Sequence, residues 1–207
     1  MARMTSVGFP YKGTTALTAY LLEPVMGHAG ALKPGLRVLD LGCGNGYWAA
    51  QFAERGCDVV GVDPSESGVA IARQAHPGVR FEVLEASPDL LDQLAEQPFD
   101  LVVSIEVVEH LYDPHAWAIG AYGALRPGGK LIASTPYHGW LKDVAVAVAG
   151  KGDFHHDALR VGGHIKFFSN RTLSNLLARA QFSDLRFTGT GRLPYMWKSV
   201  VFSATRQ

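Results

Sequence analysis

Apolar runs and helical spacings alternate along most of this chain. Leu36 to Leu41 is aliphatic with turn signals on both sides, the pattern of a strand buried on both faces. From Tyr47 the spacing becomes helical, with Trp48, Phe52 and Ala53 sharing a face. Cys57 to Asp63 then reads as a strand, Ser67 to Ala75 as a helix with Pro64 and Ser65 near its start, and Val79 to Leu84 as a strand. Pro88 to Ala95 reads as a short helix and Phe99 to Ser104 as the fourth strand. Asp113 and Pro114 supply an N-cap and a first-turn proline for a helix running to Leu125. Arg126 to Gly129 is a turn, and Lys130 to Thr135 is the fifth strand. Strand and helix in alternation predict a doubly wound α/β fold, a largely parallel sheet with helices on both faces.

The flanks are patterned differently. Thr14 to Met26 carries Leu17, Tyr20, Leu21 and Val25 at helical spacing, ahead of a Gly/Pro-containing linker, Gly27 to Gly35. Residues 1–35 therefore read as an N-terminal helix that crosses the sheet or covers a ligand, with Tyr11 and Lys12 as candidate lid residues. After Pro136, Tyr137 to Ala149 is apolar with small residues, and Lys151 to Gly163 is rich in Gly, His and Asp. Ser169 to Ala180 is amphipathic, with Leu173, Leu176 and Leu177 on one side. Phe182 to Thr190 and Met196 to Thr205 read as two closing strands.

At 207 residues and 47% hydrophobic content the chain suits one domain with a full core. A formal net charge of +0 with 18% charged residues provides no global basic field, which disfavours nucleic acid as a partner. Met1 to Gly13 lacks an apolar leader core, and no apolar run approaches the roughly 20 residues of a membrane span, so a cytoplasmic protein is expected. Cys43 and Cys57 read as small buried fillers rather than a disulfide framework.

The first strand ends in Asp40-Leu41-Gly42-Cys43-Gly44-Asn45-Gly46. Three closely spaced glycines let the backbone bend and a ligand approach its amides. A dinucleotide fingerprint, G-x-G-x-x-G, would place its third glycine at position 47, where this chain has Tyr47. Asp40 ahead of the turn disfavours a pyrophosphate and favours a ligand with ammonium and sulfonium charges. Asp63 closes the next strand 23 residues later, well placed for a ribose diol.

Asp40 to Gly46 together with Asp63 resembles motif I and its follow-on in class I S-adenosylmethionine-dependent methyltransferases, and Leu125 to Leu131 (Leu-Arg-Pro-Gly-Gly-Lys-Leu) is similar to a further family motif. The resemblance covers nearly the whole chain. It implies a Rossmann-like seven-stranded sheet, mostly parallel with an antiparallel last strand, and S-adenosyl-L-methionine as cofactor. It further implies that Asp40 addresses the donor's amino-acid end and that Gly42, Cys43, Gly44 and Gly46 pass beneath it. Asp63, followed by Pro64, would hold the ribose, and Glu85, Ala86, Ser87 and Ile105 would flank the adenine. Many members carry aspartate where this chain has Glu85, and a solvated loop acid is the other reading of that residue.

A second constellation, Glu106-Val107-Val108-Glu109-His110, follows the fourth strand. If Glu106 opens a helical turn, Glu109 and His110 project from the same face and form half of a site for Mg²⁺, Mn²⁺ or Fe²⁺. Without a metal, the acids would complement a helix dipole. The downstream Gly163-His164-Ile165-Lys166-Phe167 completes a pair of motifs resembling ubiquinone-biosynthesis O-methyltransferases and small-RNA 2′-O-methyltransferases. The resemblance implies that Glu106, Glu109, His110 and His164 hold the ion; His155 and His156, beside an expected flexible loop, are alternative ligands in place of His164. His110 and His138 are the candidate catalytic histidines, His138 as general base.

Residues 137–168 are read as an acceptor-side insertion. Trp140, Leu141, Val144, Ala145 and Val148 would form an apolar stripe covering the acceptor pocket or the core, or else touching a membrane surface. The expected activity is methyl transfer from S-adenosylmethionine to an oxygen of a small catechol- or diol-like acceptor, assisted by a divalent metal. The rival readings are a metal-free N-, C- or O-methyltransferase and a non-catalytic, cofactor-binding assembly subunit.

Overall fold

The computed structural model describes residues 19–156 and 159–207. Its single seven-stranded sheet contains β1 (Arg37–Leu41), β2 (Asp58–Asp63), β3 (Arg80–Val83), β4 (Phe99–Ile105), β5 (Leu125–Pro136), β6 (Phe182–Thr190) and β7 (Ser199–Arg206). The order across the sheet is β3-β2-β1-β4-β5-β7-β6. Only the last strand, β7, runs antiparallel to both neighbours; the other pairings are parallel. The predicted α/β class and the antiparallel closing strand are therefore both present.

Helices α1 (Leu22–Ala29), α2 (Tyr47–Ala53), α3 (Glu66–Ala75), α4 (Leu90–Leu94), α5 (Pro114–Ala124), α6 (Trp140–Val148), α7 (Gly152–His156) and α8 (Asn170–Arg179) join the strands. Successive strand residues face opposite sides, so each strand feeds two cores. Val38, Val59, Leu101, Val103, Ile132 and Val201 pack with Val25 of α1, Trp48 and Phe52 of α2, and Val69 and Ala72 of α3. Leu39, Val60, Val102, Leu131 and Phe202 pack on the other face with Leu90 of α4, Trp117 of α5, and Leu173 and Leu177 of α8. Phe52 and Trp117 are fully buried, and truncating either to alanine would cost about 3–5 kcal/mol.

Strand order reverses between β1 and β4, which opens a crevice at the carboxyl ends of the central strands. A buried network fixes the two strands there. Trp117 Nε1 donates to Ser104 Oγ at 3.1 Å, and that hydroxyl donates to Leu41 O at 2.7 Å.

Several boundaries differ from the sequence reading. The first helix runs through Gly27 and ends only where Gly30 takes φ +72° and its N–H caps Met26 O. The earlier part of the predicted Thr14 to Met26 helix, with Tyr11 and Lys12, lies outside the described residues. β5 starts at Leu125 and absorbs the Arg126 to Gly129 turn as an irregular strand, its register against β4 shifting between Phe99 and Leu101. The last strand begins at Ser199 rather than Met196.

α6 is inverted relative to expectation. Trp140, Leu141, Val144 and Val148 are exposed, while Lys142 is only 3% exposed. The apolar stripe thus lies on the surface, and a lysine takes the inward position. Among the described residues, no helix is long and apolar enough to cross a membrane.

Candidate functional site

The donor side of the crevice is built almost wholly by the turn after β1. Gly42 takes φ +85°, and a Cβ there would lie 2.5 Å from Val107 Cγ2, so the glycine both turns the chain and lets the β4 exit approach. Gly46 at φ +82° opens α2, where a Cβ would meet Phe81 at 2.8 Å. Cys43 and Gly44 are buried between them. Asp63 straps this turn to the next strand, since Gly44 N–H donates to its Oδ2 at 2.9 Å and Ser65 N–H to its Oδ1 at 2.8 Å. Burial raises the Asp63 carboxyl despite those bonds.

Asp40 is 1% exposed, and its Oδ2 has no hydrogen-bond partner among the described residues. Burial raises it to about 7, opposed by a bond from the Ala49 backbone and reinforced by Asp63. An unpartnered buried carboxylate oxygen suits a ligand ammonium, which would hold Asp40 in its charged form. Ile105 is buried at the end of β4, Ala86 and Ser87 are half-buried, and Glu85 and Pro64 are exposed. Ser87 Oγ accepts from Gln93 at 3.1 Å. Ser87 also packs so closely under α5 that a Cβ on Gly120 would meet its carbonyl at 2.3 Å.

On the acceptor side the structure departs from the helical turn expected at Glu106. Glu106 adopts φ +56°, and the short 3-10 turn that follows spans only Val108–His110. Glu106 is not among the converging ligand atoms, although its charge still acts on Glu109. The Glu106 N–H is held by Ser134 O and Oγ, each at 3.1 Å, and its Oε1 accepts from Ser134 Oγ at 2.8 Å. Burial raises Glu106 to about 7, with Ser134, Ser199, Lys142 and Lys198 pulling the other way.

Glu109, His110 and His164 do converge, their ligand atoms all lying within 4.8 Å of one another. The convergence has a backbone cause: Ile165 N–H and Lys166 N–H both donate to Glu109 O, at 2.9 and 3.0 Å, pinning the His164 loop to the turn. The His110 and His164 rings meet edge-on at 5.0 Å. His110 Nδ1 donates to Gly163 O at 3.2 Å, which leaves Nε2 as a lone-pair donor 3.9 Å from Glu109 Oε1. Burial lowers both histidines, His164 to about 4, so both are neutral near pH 7 and able to ligate.

Glu109 is fully buried, and neither carboxylate oxygen has a hydrogen-bond partner among the described residues. Thr135 lies near enough to favour its charge but makes no bond of normal geometry. Burial, and then Glu106, raise its pKa well above the carboxylate range. A buried carboxyl beside two neutral imidazoles is a mixed oxygen and nitrogen donor set of the kind that can hold a divalent ion.

His138, His155 and His156 gather elsewhere. His138 meets His155 at 5.5 Å, His156 at 6.3 Å and Phe167 at 4.8 Å between ring centroids, with Asp143 at 3.6 Å from its Nδ1. Burial, and then the charge of Lys142, hold His138 down at about 4. Sequence reasoning missed Lys142, Tyr20, Ser134 and Ser199. Tyr20 OH bonds Ser199 Oγ at 2.7 Å, and burial lifts the phenol to about 12. Lys142 left one signal, as the lone cation inside the apolar Trp140 to Val148 run.

Comparison with known proteins gives a consistent family. At 33% identity over 168 residues, 79% of this chain matches 66% of a ubiquinone biosynthesis O-methyltransferase from Ruegeria pomeroyi. Another of that name, from Bradyrhizobium, is 36% identical over 116 residues, 56% of this chain and 46% of the relative. The chain thus spans about half to two thirds of the length of the curated relatives it matches. Magnesium protoporphyrin IX methyltransferase from Synechocystis, solved with bound S-adenosylhomocysteine, superposes at TM-score 0.66 and 24% identity over 89% of this chain and 81% of that one. An S-adenosylmethionine-dependent methyltransferase from Mesorhizobium loti superposes at TM-score 0.66 and 24% identity over 92% of this chain and all of that one. These two establish the shared fold. The family profile described as a methyltransferase domain matches residues 15–186, and the chain belongs to that family.

Proposed function

We propose that this chain transfers the methyl group of S-adenosylmethionine to a hydroxyl of a small catechol- or diol-like acceptor, with a divalent ion held by Glu109, His110 and His164. The observation that carries the metal is Glu109, fully buried with both oxygens unpartnered among the described residues and two neutral imidazoles within reach. The names of the curated relatives support oxygen as the acceptor atom.

The donor fits the other end of the crevice. Asp40 would offer an unpartnered oxygen to the ammonium, the Gly42 to Gly46 turn would pass beneath the donor's amino-acid end, and Asp63 would hold the ribose. An ion of Mg²⁺ or Mn²⁺ type would supply Lewis acidity toward the acceptor hydroxyl and lower its pKa. The acceptor oxygen then forms its bond to the methyl carbon as the carbon–sulfur bond breaks, and the hydroxyl proton leaves to a base. Of the candidate bases, His138 at about 4 is weak, whereas Glu106 at about 7 is matched to the task. Glu106 remains on Ser134, outside the ligand group.

The test is methyl transfer to catechol by purified protein, before and after chelation. Turnover should vanish with chelator and return with Mg²⁺ or Mn²⁺. Metal-free protein that methylates catechol at full rate would refute the metal reading.

A further inference from the structure

Beside the proposed metal site stands a second group of side chains that the methyl-transfer chemistry does not use. Lys142, on the inward face of α6, is 3% exposed. Its Nζ donates one proton to Tyr137 O at 2.6 Å, leaving two of the ammonium's three for another acceptor. Its charged neighbours are Arg192, Asp143 and Glu106. Glu106 is already engaged by Ser134, and Asp143 is half exposed beside His138.

The His138 and His155 rings lie tilted against each other nearby at 5.5 Å, both within the field of Lys142, and His155 also within that of Arg192. His155 Nε2 is buried with no hydrogen-bond partner among the described residues. Basic groups crowded together mutually disfavour their charged forms, here lowering Lys142 to about 8 after the larger effect of burial. The two acids near this crowd each face another partner, Asp143 against His138 and Glu106 against Ser134. A metal ion would add to the repulsion with Lys142, so this histidine group suits negative charge better than a second cation.

We infer that Lys142, with His155, forms a carboxylate-binding subsite that selects acceptors carrying an anionic group in addition to the hydroxyl to be methylated. The inference rests on the acceptor lying on this side of the crevice, as the proposed function has it. It adds aromatic or aliphatic hydroxy acids as the substrate class. Lys142 would bind the carboxylate directly, and Tyr137 O would aim its ammonium.

The experiment separates this from methyl transfer by using protein that holds no methyl donor. Binding of benzoate and of its uncharged counterpart, benzyl alcohol, is measured by calorimetry on chelated protein holding S-adenosylhomocysteine. Benzoate should bind roughly 10- to 100-fold more tightly, the range of a charge-assisted hydrogen bond. The ratio should fall toward one in Lys142→Met and in His155→Ala, and persist in Lys142→Arg. His155→Ala also provides a readout if Lys142→Met fails to fold. Equal binding of the two probes, or a preference that survives both losses, would overturn the inference. A Lys142-dependent site that takes inorganic phosphate but not benzoate would also overturn it, identifying a free-phosphate site instead. Loss of the benzoate preference in Glu109→Gln alone would overturn it too, by placing the carboxylate at the metal ligands. Failure of catechol methylation would sink the proposed function and leave this binding result standing.

Discussion

The two sides of the crevice are made in different ways. The side proposed for the donor is nearly one continuous stretch, Asp40 to Asp63, built from backbone amides and a few short side chains. The acceptor side is assembled from the β4 exit, β5, α6, the loop carrying His164, and the β6–β7 connection, and almost every group that matters there is a long or ionisable side chain. A site made by backbone needs glycine at fixed spacing, and so it leaves a motif. A site made by converging side chains needs only that distant segments meet, and several sequences can arrange that.

The largest expected effect falls on the acceptor side. Glu109→Gln removes the buried negative ligand and should cost several kcal/mol of transition-state stabilisation, on the order of a thousandfold in kcat/KM. Bound metal should be lost in parallel while S-adenosylhomocysteine affinity is kept. Asp63→Ala should show the converse, weakening S-adenosylhomocysteine by roughly 10- to 100-fold through lost charge-assisted bonds, with metal content intact. If either variant damaged both functions equally, the division of the crevice into two sides would be wrong.

Asp40 sharpens the comparison through pH. Its folded-state pKa, about 7, lies above the ordinary 3.8. Between those values the folded protein keeps a proton that the unfolded chain has released, so Asp40 makes stability fall as pH rises through that window and level off above it. The span corresponds to a few kcal/mol, roughly 1.4 for each unit. Asp40→Asn should therefore flatten the decline in urea-melt stability between about pH 4 and about pH 7, and be the more stable protein above it. The ionised form is the one that meets an ammonium, so S-adenosylmethionine should bind the wild type more tightly as pH rises through about 7, and Asp40→Asn should lose that dependence. A wild-type profile that rises with pH over this range, with no difference in Asp40→Asn, would contradict the buried, unpartnered carboxyl.

How much of this could be read beforehand follows the same division. The alternation of strands and helices, the glycine turn and Asp63 all appear in the sequence as local pattern. Glu109, His110 and His164 were also visible as motifs. The family resemblance groups Glu106 with them, as would a helical turn starting there, but the backbone at position 106 is left-handed and forms no such turn. Nothing in a glutamate advertises positive φ. α6 misled for a related reason: its apolar residues suggested a buried face, yet tertiary packing turned Lys142 inward and left Trp140 and Val148 outside. Burial of a single lysine is decided by what surrounds it, which a local window does not contain.

The smallest effect concerns the support of the acceptor side. Ser169 caps α8 in a reciprocal box with Thr172, immediately after the loop that carries His164. Ser169→Ala should cost about 1 kcal/mol of stability. Metal affinity should stay near the wild-type value if the two bonds to Glu109 O hold that loop. A large loss of metal would shift the credit from those bonds to the helix cap.

The account stands most directly on where a cation goes. A crystal of the protein with S-adenosylhomocysteine and Mn²⁺, measured at a wavelength that gives anomalous scattering from manganese, would locate it. The predicted result is one strong peak bonded to a Glu109 carboxylate oxygen, His110 Nε2 and a His164 ring nitrogen, with Glu106 still on Ser134. An empty position there at saturating Mn²⁺, or a peak held by Glu106 or by the His138 group instead, would contradict it.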